Sequence, residues 1–222
     1  MSFLMENWQN SELAAIRMGF GEGLVNIAKE NNLVVALSAD LMESVGFGKF
    51  YEEIGKPRAI EVGVAEQNLV TVASGLAAMG NIPFAASYAA FSPGRNWEQI
   101  RTTICLNNQP VKLVGSHAGL NVGPDGATHQ MLEDIALMRS LPNMVVLAPG
   151  DANEAKLIAA AMAGDKRPNY VRLPREKTAL FLNQSTFEIG KSYTLRRGKD
   201  VALFGTGVMT YQLLLAAEKL AN

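Results

Sequence analysis

Short apolar runs alternate along this chain with stretches of helical periodicity. Leu33–Leu37, Ile82–Ala86, Val111–Gly115, Met144–Leu147 and Asn169–Arg172 read as strands, and a shorter strand near Ile60 leads towards Glu66. Between them the spacing predicts helices over about residues 11–30, 65–79, 95–107, 130–140 and 151–163, the last opened by Asp151 and Asn153 as capping residues. The strands are too apolar to face water on either side. The alternation therefore predicts an α/β fold, a mostly parallel sheet with helices on both faces.

Residues 181–199 turn polar and irregular, with possible short strands at Phe187–Ile189 and Tyr193–Leu195, and read as a linker after a domain spanning 1–180. Residues 200–222 then begin a further β-α unit: Val201–Phe204, the Gly205-Thr206-Gly207 turn and an apolar helix running to Asn222. One strand and one helix cannot make a stable domain, so this piece reads as the beginning of a second, incomplete α/β domain. The glycine turn could hold an anion or simply turn the chain.

Composition narrows the function classes. Of 222 residues 48% are hydrophobic, enough for a substantial core, and twenty basic residues against twenty-one acidic ones leave a formal charge of −1. No Lys/Arg block forms the stripe expected of a nucleic-acid binder, so nucleic acid is not an expected partner. The start lacks a signal-peptide pattern, and no apolar run approaches the length of about eighteen residues needed to cross a membrane. A lone cysteine, Cys105, permits no intrachain disulfide, reads as a buried structural thiol and favours a cytoplasmic protein.

The chemistry concentrates at strand ends. His117 and His129, the only histidines, share one glycine-rich stretch, His117-Ala-Gly-Leu-Asn-Val-Gly-Pro-Asp125-Gly-Ala-Thr-His129-Gln130. Such a loop can bend until side chains twelve residues apart converge on a polar pocket, or it can be an exposed turn carrying polar groups. It follows a strand, and in parallel sheets reactive groups gather outside the carboxyl edge. Ile60-Glu-Val-Gly-Val-Ala-Glu66-Gln-Asn likewise passes from strand into helix and puts Glu66 in the first helical turn. There it either complements the helix dipole or, desolvated by Val62, Gly63, Val64 and Ala65, favours the protonated form and donates a hydrogen bond.

Four segments in order carry a family resemblance: Glu61-Val-Gly-Val-Ala-Glu66-Gln-Asn, Tyr88-Ala-Ala-Phe91, His117 through His129-Gln130, and Val171-Arg-Leu-Pro-Arg175. Over about residues 11–180 the chain resembles the pyrimidine-binding domain of the transketolase family, with Asp-Gly-Ala-Thr-His-Gln as its most specific string, and residues 200–222 resemble the start of that family's C-terminal domain. The stretch from Met1 to Glu30 looks like the natural beginning of the small subunit of a two-chain transketolase.

The resemblance implies a thiamine-diphosphate-binding fold and a role for each residue. Glu66 would hydrogen-bond a nitrogen of the coenzyme's aminopyrimidine ring and favour the tautomer that deprotonates the thiazolium carbon. Tyr88 and Phe91 would pack against that ring, and Asp40 would lie near the cofactor and the subunit boundary. His117, Asp125 and His129 would address the sugar, with Arg175 and, more weakly, Arg17 and Ser44 on its phosphate. After Phe91, Ser92-Pro93-Gly94 departs from the longer helical run of full-length transketolases, which leaves open which aromatic stacks on the pyrimidine.

The Gly-Asp-Gly motif, followed some thirty residues later by Asn, with which these enzymes hold magnesium and diphosphate is missing; Gly150-Asp151-Ala is the nearest string. The resemblance thus implies a diphosphate-binding partner subunit carrying Mg2+ or a similar divalent cation, an α2β2 assembly, and a chain inactive by itself, transferring a two-carbon ketol unit between sugar phosphates when complete. Two alternatives stand: a fragment similar to 1-deoxy-D-xylulose-5-phosphate synthase, and a non-catalytic pyrimidine-domain binding protein. The β subunit of a 2-oxo-acid dehydrogenase shares the architecture but lacks Asp-Gly-Ala-Thr-His.

Overall fold

The computed structural model describes residues 3–221; the expected natural start at Met1 and the last residue, Asn222, lie outside the described residues. In chain order the elements are β1 (Leu13–Ala15), α1 (Ile16–Glu30), β2 (Val34–Ser38), α2 (Gly48–Ile54), β3 (Ala59–Glu61), α3 (Glu66–Ala78), β4 (Ile82–Tyr88) and α4 (Trp97–Gln99), which runs on as a π-helix over Ile100–Cys105. There follow β5 (Lys112–Ser116), α5 (Asp134–Arg139), β6 (Val145–Leu147), α6 (Ala152–Gly164), β7 (Asn169–Arg172), β8 (Lys177–Ala179) and α7 (Met209–Ala221).

Six strands form one sheet in the order β3-β2-β4-β5-β7-β6, every neighbouring pair parallel. Alternate residues feed two cores. Val34, Ala36, Phe84, Ala86 and Val114 pack with Phe20 and Leu24 of α1 and Ile158 and Met162 of α6. Val35, Leu37, Ala85 and Leu113 pack on the other face with Leu69 and Val70 of α3, Ile100 and Ile104 of the π-helix, and Met138 of α5. Two-sided burial is why these strands read as continuous apolar runs. On the first face α1 meets α6 through glycine: a Cβ added at Gly19 would lie 2.3 Å from the Ala152 carbonyl oxygen. Cys105 is fully buried, and burial pushes its thiol up to about 11, as a structural cysteine requires.

The expected elements need five adjustments. The first helix begins at Ile16, because Leu13–Ala15 instead pairs antiparallel with Lys177–Ala179 in a small second sheet, Leu13 opposite Ala179. The helix expected over 130–140 shortens to Asp134–Arg139, and α2 was not anticipated. Asp151 caps α6, whereas Asn153 donates to the Leu182 carbonyl at 3.2 Å. No strand forms at Phe187–Ile189, Tyr193–Leu195 or Val201–Phe204, which pair with no strand of either sheet. Gly205-Thr206-Gly207 is a plain connection, Gly207 donating its N–H to the Ala148 carbonyl at 3.1 Å.

The segment after β8 is tied to the first domain by apolar packing of Phe181, Leu182 and Leu214 with Leu4, Trp8 and Tyr211, and by Asp151. This fully buried carboxylate accepts from Glu154 N–H at 2.9 Å through Oδ1, and from Phe181 and Leu182 N–H at 2.9 and 2.8 Å through Oδ2. Asp151→Ala removes a helix cap and orphans two buried donors together. Urea unfolding should show a loss of roughly 3 kcal/mol, and a loss under about 0.5 kcal/mol would contradict this account.

Candidate active site

Because all six strands run the same way, the segments after β2, β3, β4, β5 and β7 emerge on one rim, where α1 also begins. The chain crosses from β3 into α3 through Gly63, which takes a positive φ of 74°, and Glu66 becomes the first residue of the helix. Its side chain is only 4% exposed. Val64, expected to shield it, is 72% exposed; the cover comes from the segment after β4. Arg95 Nη1 donates to Glu66 Oε2 at 3.0 Å, and Asn96 Nδ2 donates to the Glu66 carbonyl at 2.8 Å and to Ser92 Oγ at 3.1 Å. The carboxyl group is thus ion-paired, which corrects the expectation that an apolar sheath alone sets its character.

Tyr88 closes β4 and becomes the hub of an aromatic cluster. Its ring stacks on His117 with centroids 3.9 Å apart and an interplanar angle of 19°, and lies parallel to Phe91 at 6.1 Å. His129 meets both edge-on, 6.1 Å from Tyr88 and 5.1 Å from Phe91. The two histidines do converge, as the glycine-rich loop allows. One face of Tyr88 is taken by His117, while Arg95 lies over Phe91, 4.2 Å from the ring centroid.

His117 is held at a positive φ of 56°, is 3% exposed, and pairs Nδ1 with Ser116 Oγ at 2.9 Å. Burial, followed by the charges of Arg17 and Arg175, pushes its imidazole down to about 4, with Asp125 opposing and His129 adding slightly. Near neutral pH it is an uncharged donor or acceptor. A folded-state value below that of free histidine means that the unfolded chain takes up a proton the folded chain refuses. Stability is therefore expected to fall as pH drops from about 6.5 towards 4, and to be independent of this group above that window. Urea unfolding at pH 7 and pH 5 should show a smaller difference in His117→Asn than in the parent; equal differences would refute the assignment.

Arg17 and Arg175 are brought together from opposite ends of the domain: Arg17 Nη1 donates to the Arg175 carbonyl. Arg17 is lowered from the usual arginine value by burial and by Arg175, and its Nε is buried without a partner. The Arg175 guanidinium pairs with Glu176 at 3.1 Å and lies against the histidine loop, where a Cβ added at Gly123 would fall 2.3 Å from Nη1. Asp125, in the short 3-10 turn Gly123–Thr128, is exposed.

Two expected residues stand apart. Asp40 is exposed; its N–H donates to Glu61 Oε2 at 2.7 Å, and among the described residues it has no hydrogen bond or ring contact with Glu66 or the aromatic cluster. Ser44 is half-buried in the turn that meets Arg17 at Gly46, and among the described residues it makes no side-chain hydrogen bond to Arg175. Sequence reasoning missed Arg95 and Asn96. Their signal was local: Arg95 lies four residues past Phe91 and donates its N–H to the Phe91 carbonyl at 2.8 Å, a helical spacing that returns the guanidinium to the aromatic ring.

Comparison with known proteins gives the family and the fold. The family model for the transketolase pyrimidine binding domain matches residues 12–179. A putative transketolase C-terminal section from Methanocaldococcus jannaschii is 43% identical over 91% of the chain and 65% of its own length. The 6-deoxy-6-sulfo-D-fructose transketolase subunit SqwH of a Clostridium species is 36% identical over 99% of the chain and 66% of its own length. The chain spans just under two thirds of these relatives. It spans about a third of several 1-deoxy-D-xylulose-5-phosphate synthases, at 36 to 40% identity. Among solved structures, a split-gene transketolase described as an inactive beta4 tetramer aligns at 40% identity with a TM-score of 0.82, over 93% of this chain and 66% of that one.

Proposed function

The chain belongs to the transketolase family by its pyrimidine-binding domain, and from that membership we propose that it is one subunit of a split, thiamine-diphosphate-dependent transketolase. It would move a two-carbon ketol unit between ketose and aldose phosphates together with a separate diphosphate-binding subunit. The observation that carries this reading is a nearly buried Glu66 at a helix start, sharing one rim with Tyr88, Phe91, both histidines and an arginine pair.

These residues fit the ring end of the coenzyme: an acid for a ring nitrogen, and aromatic faces for a flat heterocycle. Glu66 would hold the pyrimidine and set its protonation, with Phe91 as the packing ring because Tyr88 is already stacked on His117. When bound, thiamine diphosphate would supply the electron sink for carbon–carbon bond cleavage. Neutral His117, His129 and Asp125 would orient the sugar hydroxyls, and Arg175 with Arg17 would take the terminal anion. Asp40 and Ser44 would contribute only at the margin, towards the cofactor and phosphate respectively. Mg2+ and the diphosphate group are assigned to the partner, since the sequence lacks their motif.

We read 1–180 as a transketolase-like pyrimidine-binding domain, 181–199 as the linker and 200–222 as the start of the family's C-terminal domain, an order supported by alignment of SqwH over 99% of the chain. Burial of the lone Cys105 supports a cytoplasmic protein, and among the described residues no helix is long and apolar enough to cross a membrane. An α2β2 assembly is the family's expected form; that a split-gene relative is inactive as a beta4 tetramer supports the need for a partner. The synthase reading has relatives at 36 to 40% identity against 43% for the transketolase C-terminal section, and the synthase family usually has arginine where His117 stands.

The deciding experiment measures ketol transfer by this chain, by the partner subunit and by their mixture with thiamine diphosphate and Mg2+. Activity is expected only in the mixture. Turnover by this chain alone, or an inactive mixture, would refute the split-enzyme reading.

A further inference from the structure

Arg95 answers to no role in the reading above, yet it contacts both groups assigned to the pyrimidine. Its Nη1 is 3.0 Å from Glu66 Oε2 while its Cζ lies 4.2 Å over the centre of Phe91. A guanidinium is flat, cationic and rich in N–H donors, so one group here satisfies a buried carboxylate and covers an aromatic face. An aminopyrimidine offers the same two features, an edge for an acid and a face for an aromatic ring. The guanidinium thus has the shape and contacts of a stand-in for that ring.

The two engagements conflict. A glutamic acid that donates a proton to a ring nitrogen must be neutral, and a guanidinium in hydrogen-bond contact favours the ionised form. The backbone beneath is fixed independently, because Asn96, fully buried, grips the Glu66 carbonyl and Ser92. Arg95 itself is 53% exposed on a turn and can swing into solvent without disturbing that grip. Glu66 therefore stays in place whether or not the ion pair is made.

We propose that Arg95 is a displaceable latch, a positioning residue that engages the Glu66 carboxyl group and covers Phe91 until the coenzyme's pyrimidine replaces it. The proposal rests on the thiamine-diphosphate reading above. A protein whose binding-competent form is only part of the population binds more weakly by that fraction. If latched molecules dominate, unlatching raises apparent affinity by roughly fivefold to tenfold.

Calorimetric titration of thiamine diphosphate, with Mg2+, into the complex of this chain with its diphosphate-binding subunit tests the latch. Arg95→Met, which keeps a packing arm and loses the charge, should bind coenzyme about five to ten times more tightly than the parent. Arg95→Lys, which keeps the charge but not the planar stack, should fall between. In a Glu66→Gln background the ion pair is reduced to a neutral hydrogen bond, so Arg95→Met should gain clearly less than it does beside Glu66. Equal or weaker binding by Arg95→Met, or an undiminished gain in the Glu66→Gln background, would overturn the latch while leaving the coenzyme reading intact. A parent complex that binds no thiamine diphosphate would overturn both.

Discussion

In the reconstituted enzyme, Glu66→Gln is expected to cut ketol transfer by about a hundredfold to ten-thousandfold, the span associated with loss of a positioned acid or base. The substitution conserves shape, and the amide still accepts from Arg95 through its oxygen. Asn96 grips the backbone carbonyl of residue 66, which is unchanged. Thermal unfolding should therefore move little. What is lost is a group able to hold and release a proton beside the pyrimidine. Unchanged turnover with full coenzyme occupancy would remove Glu66 from that role, and a collapse in stability would point to a structural carboxylate.

Arg175→Ala should lower kcat/KM for phosphorylated ketoses by roughly tenfold to a hundredfold, corresponding to about 1.5–3 kcal/mol for a charged hydrogen bond, and change unphosphorylated analogues far less. The guanidinium sits against Gly123 at the histidine loop, so it faces the groups expected to hold the sugar. Arg17 remains anchored in the variant, because it bonds the carbonyl of residue 175 and not its side chain. Equal losses on both substrate types would mean that Arg175 shapes the loop and does not read the anion.

Much of the sheet was legible because both of its faces are buried, which makes β2 and β4 mostly apolar and leaves β5 and β7 with apolar centres between polar ends. The rim of the candidate site was legible for a related reason: parallel strands put every β-to-α passage on one edge, so Glu66, Tyr88 and His117 had to share that edge once their strands were identified, though not their order along it. What escaped depended on pairing across long separations. Leu13–Ala15 is three residues long and becomes a strand only because Lys177–Ala179 lies beside it. Val201–Phe204 has the composition of a strand and lacks a neighbour. Arg95 stood at the start of the helix expected over 95–107 with nothing to mark a role, and only the folded chain reveals that its partner is a carboxylate twenty-nine positions away.

The small sheet of β1 and β8 has a further bearing on specificity. Arg17 follows β1 by two residues and Arg175 precedes β8 by two, so pairing Ala15 with Lys177 fixes how far apart two cationic heads can stand. On the proposed phosphate-binding role of this pair, the ruler for a sugar's charged terminus would be a three-rung ladder of main-chain contacts at the periphery. Loosening a rung there would alter which chain length of sugar is accepted while the aromatic wall and Glu66 stay where they are.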